Sequence, residues 1–449
     1  MSNSIADSFV EGILEFSSQS FDDGIYIQSK RCLIDYLGAT YAGAAMNRDR
    51  SNKLMAFLDD EGASSIIGSL EKTSLLNAAF INGIHSHVAE LDDGVISGIV
   101  HPGAPILSAL LPVAEKNKVT GKKFLHGLIT GYEVCVRIAK AIQPSHKELG
   151  YHATATCGAI GAAMAIGIML SFSKEQLMSC LAAATTSVGG SLKVLEDQSQ
   201  LKPYNVGYAA LNGVSASSIG HAQYTSPFDV FSGDRGFFKL MSTEFDPSFL
   251  TEFEPESLAI QQVYVKPYAA CRYCHPSIDA ILFLMKEHKF DSSMIKDIEV
   301  LTYKWAVKGH DHVDINNVSS AKMSIPYSIG VTLHSGNASI NEFSDDYINN
   351  NEVELLTKKV VVKVDEQMTQ EFPKKSMAKV TLNMNDGKIL SHLIENPKGE
   401  PSLPLTNEEL FDKFIGLARF AGLTSKRTHD VLNSAWNLDD DSVTISSIL

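Results

Sequence analysis

The sequence lacks several features that would place it in a membrane, outside the cell or on nucleic acid. No apolar run approaches the roughly 18 consecutive residues that a membrane-spanning helix needs. Its first residues, MSNSIADSFVEGILEF, carry acidic residues within the apolar pattern and lack the basic start of a secretory leader. No cluster of Lys and Arg offsets the formal net charge of −14. We therefore expect a cytoplasmic protein that binds neither membranes nor nucleic acid.

Paired cysteines and the common catalytic motifs are also missing. The 449 residues include six scattered cysteines, for which we expect free thiols. Cys271 and Cys274 with His275 resemble part of a metal site, but a structural zinc site needs a second ligand pair that the other cysteines do not provide. The chain contains no G-x-S-x-G, H-E-x-x-H, P-loop or convincing dinucleotide motif. We expect neither a metal nor an organic cofactor.

The apolar periodicity predicts a mainly α fold with two domains. Patterns of helical period, several of them rich in Ala and Gly, fill the chain up to about residue 255. Strand-like alternation then appears in QQVYVKPYAA, IKDIEVLTYKWAV, KKVVVKVDE and AKVTLNMNDGKILSHLIEN, mixed with helical segments. In the last of these, Asp386 and Gly387 predict a hairpin turn. Helical periodicity returns near the end, with a capping box at Thr406 and Glu409. The sequence predicts a large helical domain, residues 1–255 and 400–449, and a smaller inserted α+β lid domain, residues 256–399.

The stretch from His85 to Gly103, HSHVAELDDGVISGIVHPG, has the highest density of polar groups within an apolar context. A helix starting near Thr73 should end shortly before Asp92 and Asp93. His101 precedes Pro102 and Gly103 at the start of the next helix, where main-chain amides favour a bound anion. The alternative is an ordinary Asp-Asp-Gly turn followed by a capping histidine.

Four further polar clusters interrupt the apolar pattern, and each also has a purely structural interpretation. His152, in Gly-Tyr-His, could cap the Ala/Gly-rich helix that follows it, and Lys202 could be a solvated loop residue. The string from Lys266 to Pro276 combines bases, a thiol and a histidine at the start of a helix. Tyr327 follows a proline within a helix, where a core tyrosine is common. Histidine, lysine, arginine, aspartate and tyrosine together suit proton abstraction next to a carboxylate.

Six clusters, in this order along the chain, resemble the MmgE/PrpD family, and the resemblance covers about residues 5 to 440. They are NAAFINGIHSHVAELDDG, HPGAP, GYHATATCG, LKPYNVGYAALNG, VKPYAACRYCHPSIDA and AKMSIPYS. The family includes 2-methylcitrate dehydratase, cis-aconitate decarboxylase and iminodisuccinate epimerase. The resemblance implies a helical domain formed from both ends of the chain, a smaller α+β lid, a homodimer, and catalysis without a cofactor in a cleft between domains.

The resemblance also implies positions for the active-site residues. The catalytic set would be His101, His152, Asp93, Lys202 and Tyr327. Asp92 and Lys266 would contact the substrate, while Cys271, Arg272 and His275 are added because they share the polar string after Lys266. His101 and His152 are the candidates for general acid and base, and the lysines would hold carboxylates. Arg272 is a further carboxylate ligand on chemical grounds.

Two departures from the family pattern bear on the substrate. The acidic motif reads ELDDG where the decarboxylase-like motif ends in threonine, and Ala-Ala-Cys271 with Arg272 replaces a histidine or an F-P-A motif. They argue against the named decarboxylase and methylcitrate dehydratase. We expect a lyase that acts on a di- or tricarboxylic acid, with dehydration as the leading reaction and epimerisation or decarboxylation as alternatives. A non-catalytic carboxylate-binding protein is an alternative of another class.

Overall fold

The computed structural model describes residues 4–253 and 258–449, without the side chains of residues 197 and 198. The α-helices are α1 Ile5–Ser18, α2 Asp23–Met46, α3 Arg48–Leu58, α4 Leu75–Val88, α5 Gly103–Asn117, α6 Gly121–Ile142, α7 Ser145–Glu148, α8 Ala153–Met169, α9 Lys174–Ser187, α10 Lys202–His221, α11 Phe237–Met241, α12 Ser248–Thr251, α13 His275–His288, α14 Lys304–Val307, α15 Val318–Lys322, α16 Ile325–Ser335, α17 Asp345–Ile348, α18 Asn351–Lys358, α19 Glu366–Glu371, α20 Asn407–Phe420 and α21 Ser425–Trp436. The mainly α fold class is confirmed.

Strands form a minor part of the fold. They are β1 Ser64–Ser65, β2 Lys72–Thr73, β3 Ile295–Thr302, β4 Val360–Val364, β5 Ala378–Met384 and β6 Ile389–Ile394. The 3₁₀ helices are Leu192–Gln198, Ala259–Gln262, Arg272–Cys274, Ser292–Met294, Ile340–Glu342 and Ile445–Ser447. β1 and β2 make a short antiparallel pair, and β3 to β6 make one sheet in the order β4-β3-β5-β6. In that sheet only the β3–β4 pair is parallel.

Contacts divide the chain into two compact units. Unit 1 comprises Met1–Glu196, Leu201–Tyr264 and Thr406–Leu449, and unit 2 comprises Asp197–Gln200 and Val265–Leu405. The sequence placed its boundaries at 255/256 and 399/400. The first of these falls among residues 254–257, outside the described residues, and both stay predictions. Unit 2 contains all of the four-stranded sheet, while unit 1 has helices and the β1–β2 pair.

The core of unit 1 is built from helices that approach each other closely. α8 packs against α6, α5, α9 and α10, and α10 also packs against α4. Small residues make this possible, because a Cβ added at Gly161 in α8 would lie 2.7 Å from the Cβ of Cys135 in α6. α8 is buried along nearly its whole length, as its Ala and Gly content predicted. The helix starts that carry polar residues are therefore fixed by tightly packed elements.

Unit 2 covers one part of its sheet with helices. α13 packs against β5 and β6, and α16 packs against α13, α18 and β4. The hairpin turn expected at Asp386 and Gly387 is confirmed, with Gly387 at a positive φ of 85° between β5 and β6. The predicted strand in QQVYVKPYAA is wrong. Residues Ala259–Gln262 form a 3₁₀ helix there, and only Tyr264 makes an isolated bridge, to Gly94.

Helix caps follow the sequence at some positions and depart from it at others. The capping box of Thr406 and Glu409 is present at the start of α20. Thr120 occupies the N-cap of α6 without a side-chain capping bond, and the side chain of Ser74 caps α4. Among the described residues no helix is long and apolar enough to cross a membrane. All six cysteines lie within the described residues, and none of them forms a disulfide bond, as expected.

Candidate active site

The loop between α4 and α5 brings His101 to the start of α5. α4 ends at Val88, and the backbone turns through positive φ values at Glu90 (55°) and Ile99 (47°). Val95 and Val100 pair across the loop by main-chain hydrogen bonds, which bring its two ends together. Pro102 is the N-cap of α5 and Gly103 its first residue, so His101 lies two residues before the helix begins, close to the helix start that the sequence predicted. The main-chain N–H of His101 donates to Thr154 Oγ1 at 3.1 Å.

Asp93 ties this loop to α5 and α6 through three hydrogen bonds. Its Oδ1 accepts from the N–H of Gly103 at 3.0 Å, and its Oδ2 accepts from the Tyr132 hydroxyl at 2.6 Å. Its main-chain oxygen accepts from Nδ1 of His101 at 2.5 Å. A Cβ at Gly103 would lie 2.4 Å from the Tyr132 oxygen, so this approach requires glycine. The geometry makes Asp93 a residue that positions His101.

Burial determines the acidity of Asp93. The pKa of Asp93 is raised to about 7, mainly by removal of the carboxyl group from water and also by the negative charges of Asp35 and Asp92. The hydrogen bonds from Tyr132 and Gly103 act in the opposite direction and lower this pKa. Either donor therefore favours the ionised carboxylate that caps α5.

The hydrogen bond to a carbonyl oxygen fixes the tautomer of His101. A carbonyl oxygen only accepts, so Nδ1 carries a proton whenever this bond is formed. In the neutral ring the lone pair is then on Nε2. The side chain of His101 is 17% exposed, whereas that of His87 is fully buried.

Three histidine rings, those of His87, His101 and His152, form what we call the histidine cluster. The centroid of the His87 ring lies 5.2 Å from that of His101 and 6.0 Å from that of His152. Nδ1 of His87 is 2.6 Å from Oδ2 of Asp92, an oxygen that also lies 3.7 Å from Nδ1 of His101. Asp92 is thus placed beside two rings of the cluster and provides negative charge for them.

His152 sits at the N-cap of α8 and is almost completely buried. Its main-chain N–H donates to Gly190 O at 3.0 Å, and Nδ2 of Asn205 lies 3.5 Å from its Nδ1. Burial lowers the pKa of His152 well below its usual value, and the neighbouring His87, Lys202 and His101 lower it further. His152 is therefore a neutral imidazole at pH 7.

Lys202 is the first residue of α10, and its ammonium group forms an ion pair with the carboxylate of Glu90. Glu90 Oε1 also lies 4.0 Å from Nε2 of His87, a buried nitrogen that has no hydrogen-bond partner among the described residues. Unit 1 thus brings together five of the predicted site residues, Asp92, Asp93, His101, His152 and Lys202.

The other predicted site residues, Lys266, Cys271, Arg272, His275 and Tyr327, belong to unit 2. Lys266 is completely buried and Cys271 is partly exposed. Tyr327 is buried in α16, and its hydroxyl donates to Glu342 O at 2.8 Å. Burial raises the pKa of Tyr327, which makes its hydroxyl a hydrogen-bonding group and not an ionised one at neutral pH.

Arg272 uses its guanidinium within unit 2. Nε and Nη2 donate to Glu400 Oε1 at 3.0 and 2.6 Å. The other N–H groups reach Pro397 O, Lys398 O and Nδ1 of His275 at 3.3, 3.0 and 2.9 Å. All five donors of the side chain are thereby used. The substrate contacts predicted for Arg272 and His275 stay predictions, and these bonds point to a structural role.

Four residues of the site were not among the site residues predicted from the sequence. His87 and Glu90 lay within the polar stretch, where a histidine close to two acidic groups was the available signal. Asn205 lay beside Lys202 in LKPYN, but nothing marked its amide as a partner of a histidine. Tyr132 gave no signal, because its contact with Asp93 joins positions 39 residues apart.

The chain belongs to the MmgE/PrpD family. The model of the MmgE/PrpD N-terminal domain matches residues 8–250, and that of the MmgE/PrpD C-terminal domain matches residues 268–438. The resemblance noted in the sequence is thus confirmed.

Curated relatives of the chain include several cis-aconitate decarboxylases. The enzyme of Aspergillus terreus is 25% identical over 416 residues, which cover 87% of this chain and 84% of the relative. The cis-aconitate decarboxylase-like protein oryM of Aspergillus oryzae is 24% identical and covers 97% and 95% of the two chains. The human cis-aconitate decarboxylase is 22% identical and covers 92% and 88%. These relatives support an enzymatic function.

Proposed function

We propose that this protein is a lyase that acts on a di- or tricarboxylic acid and that His101 transfers the proton at the carbon next to a carboxylate. One observation carries the proposal. The bond from Nδ1 of His101 to Asp93 O fixes the tautomer of this ring and directs proton exchange to Nε2. The side chain of His101 is also more exposed than that of His87 in the same cluster. This is the arrangement expected of a general acid or base.

The charges around the histidine cluster suit an anionic substrate. The ammonium of Lys202 is partly buried, and only Glu90 neutralises it among the ion pairs observed in the described part of the chain. A carboxylate of the substrate would compete with Glu90 for this ammonium group and add charge-assisted hydrogen bonds. The α5 helix begins at Gly103, two residues after His101, and α8 begins at Ala153, directly after His152. The N-termini of both helices favour negative charge.

Decarboxylation is the first form of the reaction that we propose, because the curated relatives carry that name. The bond between a carbon atom and the departing carboxylate breaks, and carbon dioxide leaves. The electron pair stays on that carbon, and its negative charge is delocalised over the neighbouring double bond and the carboxylate attached to it. The protonated His101 then donates its Nε2 proton to that carbon. The neutral imidazole of His101 remains and regains a proton from solvent.

Dehydration, which led the interpretation of the sequence, is the second form. Here Nε2 of neutral His101 accepts the proton next to the carboxylate, and the electron pair forms the double bond as hydroxide leaves. The hydroxide takes a proton from solvent and departs as water. Both forms therefore need the same nitrogen. They differ in which group leaves and in the protonation state of His101 at the start.

The proposal is tested by proton NMR of the purified protein in deuterated water with cis-aconitate and a panel of hydroxylated di- and tricarboxylic acids. Loss of carbon dioxide from cis-aconitate, with one deuterium in the product, supports decarboxylation. A new vinyl signal from a hydroxy acid supports dehydration, and exchange without net loss points to an epimerase. If calorimetry shows that an acid binds but no deuterium exchange occurs, the protein is a carboxylate-binding protein and not a lyase. If the protein neither binds any of these acids nor exchanges their protons, the proposal is refuted.

A further inference from the structure

Asn205, on α10, has a side-chain amide whose orientation is fixed by a main-chain oxygen. Its Nδ2 donates to Ser191 O at 3.2 Å. Exchanging the amide oxygen and nitrogen would place two acceptors against each other, so the nitrogen must face Ser191. The same Nδ2 lies 3.5 Å from Nδ1 of His152. The second hydrogen of this amide is the one that points toward the imidazole.

The segment around Ser191 holds this amide beside the histidine. Tyr151 and Ser191 form an antiparallel bridge, with main-chain bonds from His152 N to Gly190 O and from Leu192 N to Gly150 O, at 3.0 and 2.7 Å. A Cβ at Gly190 would lie 3.6 Å from Cγ of Asn205 and 2.4 Å from the Cβ of Ala155. Both His152 and Asn205 are buried. The contact therefore lies in a buried and closely packed environment.

We propose that Asn205 is a positioning residue that holds His152 as the tautomer protonated on Nε2, so that His152 is a neutral hydrogen-bond donor to the substrate. This inference rests on the proposed function and refines it. Nδ1 of His152 accepts from the amide, and a neutral ring with an acceptor at Nδ1 carries its proton on Nε2.

His101 and His152 then have opposite tautomers and opposite tasks. The hydrogen bond to Asp93 O keeps a proton on Nδ1 of His101, so His101 transfers a proton to or from the substrate at Nε2. His152 donates from Nε2 to the carboxylate oxygen on which negative charge grows, and stabilises it without becoming charged. Four charged or titratable groups face His152, namely His87, His101, Lys202 and Glu90. Three of them disfavour a second positive charge, which agrees with a neutral donor.

The first test reads the tautomer directly in the protein without substrate. Nitrogen-15 NMR of histidine-labelled protein distinguishes a protonated ring nitrogen from an unprotonated one, and the signals lost in His152→Gln and His101→Gln assign the two rings. We expect His152 to carry its proton on Nε2 and His101 on Nδ1 at pH 7. A proton on Nδ1 of His152 would overturn the proposal, whatever reaction the enzyme performs.

The second test uses a pair of near-isosteric variants. Asn205→Asp places a carboxylate at Nδ1 of His152, which favours a proton on that atom and a charged ring. We expect kcat to fall by about two orders of magnitude or more, as when a catalytic histidine is held in the wrong tautomer. We also expect the nitrogen-15 signals of His152 to change and the pH profile of kcat to shift upward. Asn205→Ala removes the amide that favours the Nε2-protonated tautomer of His152 but does not favour the other tautomer, so its kcat should fall less than that of Asn205→Asp.

Three outcomes of these tests can be told apart. If Asn205→Asp retains the wild-type kcat and pH profile, the positioning role is refuted. If Asn205→Asp and Asn205→Ala lose equal activity while the His152 signals stay unchanged, the amide is structural and the proposal is again refuted. If the protein does not act on any of these acids, no activity is measurable in any variant. The tautomers in the free protein then still decide whether Asn205 controls His152.

Discussion

Nδ1 of His101 donates to the main-chain oxygen of Asp93 at 2.5 Å, while the carboxylate of Asp93 caps the helix that starts two residues after His101. A single residue thus fixes both the orientation of the imidazole and the end of the helix beside it. The site depends on main-chain groups as much as on the acidic side chains that attract attention in the sequence.

Tyr132→Phe tests whether this arrangement matters for activity. The variant removes the hydroxyl that donates to Asp93 Oδ2 and helps keep the pKa of Asp93 down. We expect stability to fall by about 1–3 kcal/mol, the usual range for a buried acceptor that loses its donor. The acid limb of the activity profile should also move to higher pH, because Asp93 then becomes protonated more easily. Unfolding curves and a pH series of kcat measure the two effects. An unchanged profile would contradict the role of the carboxylate.

Gly103→Ala tests the close approach at the start of α5. The added methyl group would lie 2.4 Å from the Tyr132 oxygen and 2.8 Å from both carboxylate oxygens of Asp93. We expect a melting temperature lower by several degrees and little activity. Gly416→Ala is the matched control, because its Cβ meets no atom within 4 Å and alanine favours the helix. Equal melting temperatures of the two variants would contradict the steric argument.

Buried histidines should make the protein less stable in acid. Burial lowers the pKa of His85 to about 4 and that of His146 to about 4. The unfolded chain takes up these protons near pH 6.5, so the stability from neutral burial is lost as pH falls from about 6.5 towards 4. Asp93 acts in the opposite sense, because its raised pKa gives stability that is lost as pH rises towards 7.

The histidines can be separated from Asp93 by mutation. Between pH 6.5 and pH 4, we expect the unfolding free energy of His85→Gln to fall by up to about 3 kcal/mol less than that of the wild type. Its melting temperature should therefore depend less on pH. His429→Gln, on the exposed side of α21, should keep the wild-type slope. The same slope in His85→Gln as in the wild type would exclude His85 as a source of the acid sensitivity.

Arg272→Met tests the structural role of the guanidinium. The variant leaves the carboxylate of Glu400 buried without its partner, a loss of about 3–5 kcal/mol for pairs of this kind. The double variant Arg272→Met with Glu400→Gln should recover part of the stability, because no charge is then left buried. A variant with normal stability and a strongly raised KM would instead favour the substrate contact predicted from the sequence.

The sequence predicted those parts of the molecule that depend on local patterns. The Ala/Gly helix after His152, the hairpin turn at Gly387 and the capping box at Thr406 each involve residues a few positions apart. His101 before Pro102 and Gly103 was placed correctly at a helix start for the same reason.

The missed parts depend on distant partners or main-chain atoms. Glu400 meets Arg272 across 128 residues, and Tyr132 meets Asp93 across 39. The main-chain oxygen of Asp93 carries no side-chain signal at all. The segment QQVYVKPYAA alternates as a strand does, yet its main-chain bonds go to scattered partners, from Tyr264 to Gly94 and from Val265 to Gly399, and form no strand pairing. Without a neighbouring strand, alternation alone does not make a sheet.

The most direct test of the account is deuterium transfer to the product by the wild type and His101→Gln, each incubated with cis-aconitate and the active acids of the panel in deuterated water. We expect the wild type to form deuterated product and His101→Gln to form it at least about a hundredfold more slowly. Calorimetry should show that the variant still binds the acid, and His429→Gln should behave as the wild type does. Deuterated product formed by His101→Gln at the wild-type rate would contradict the assignment of proton transfer to His101.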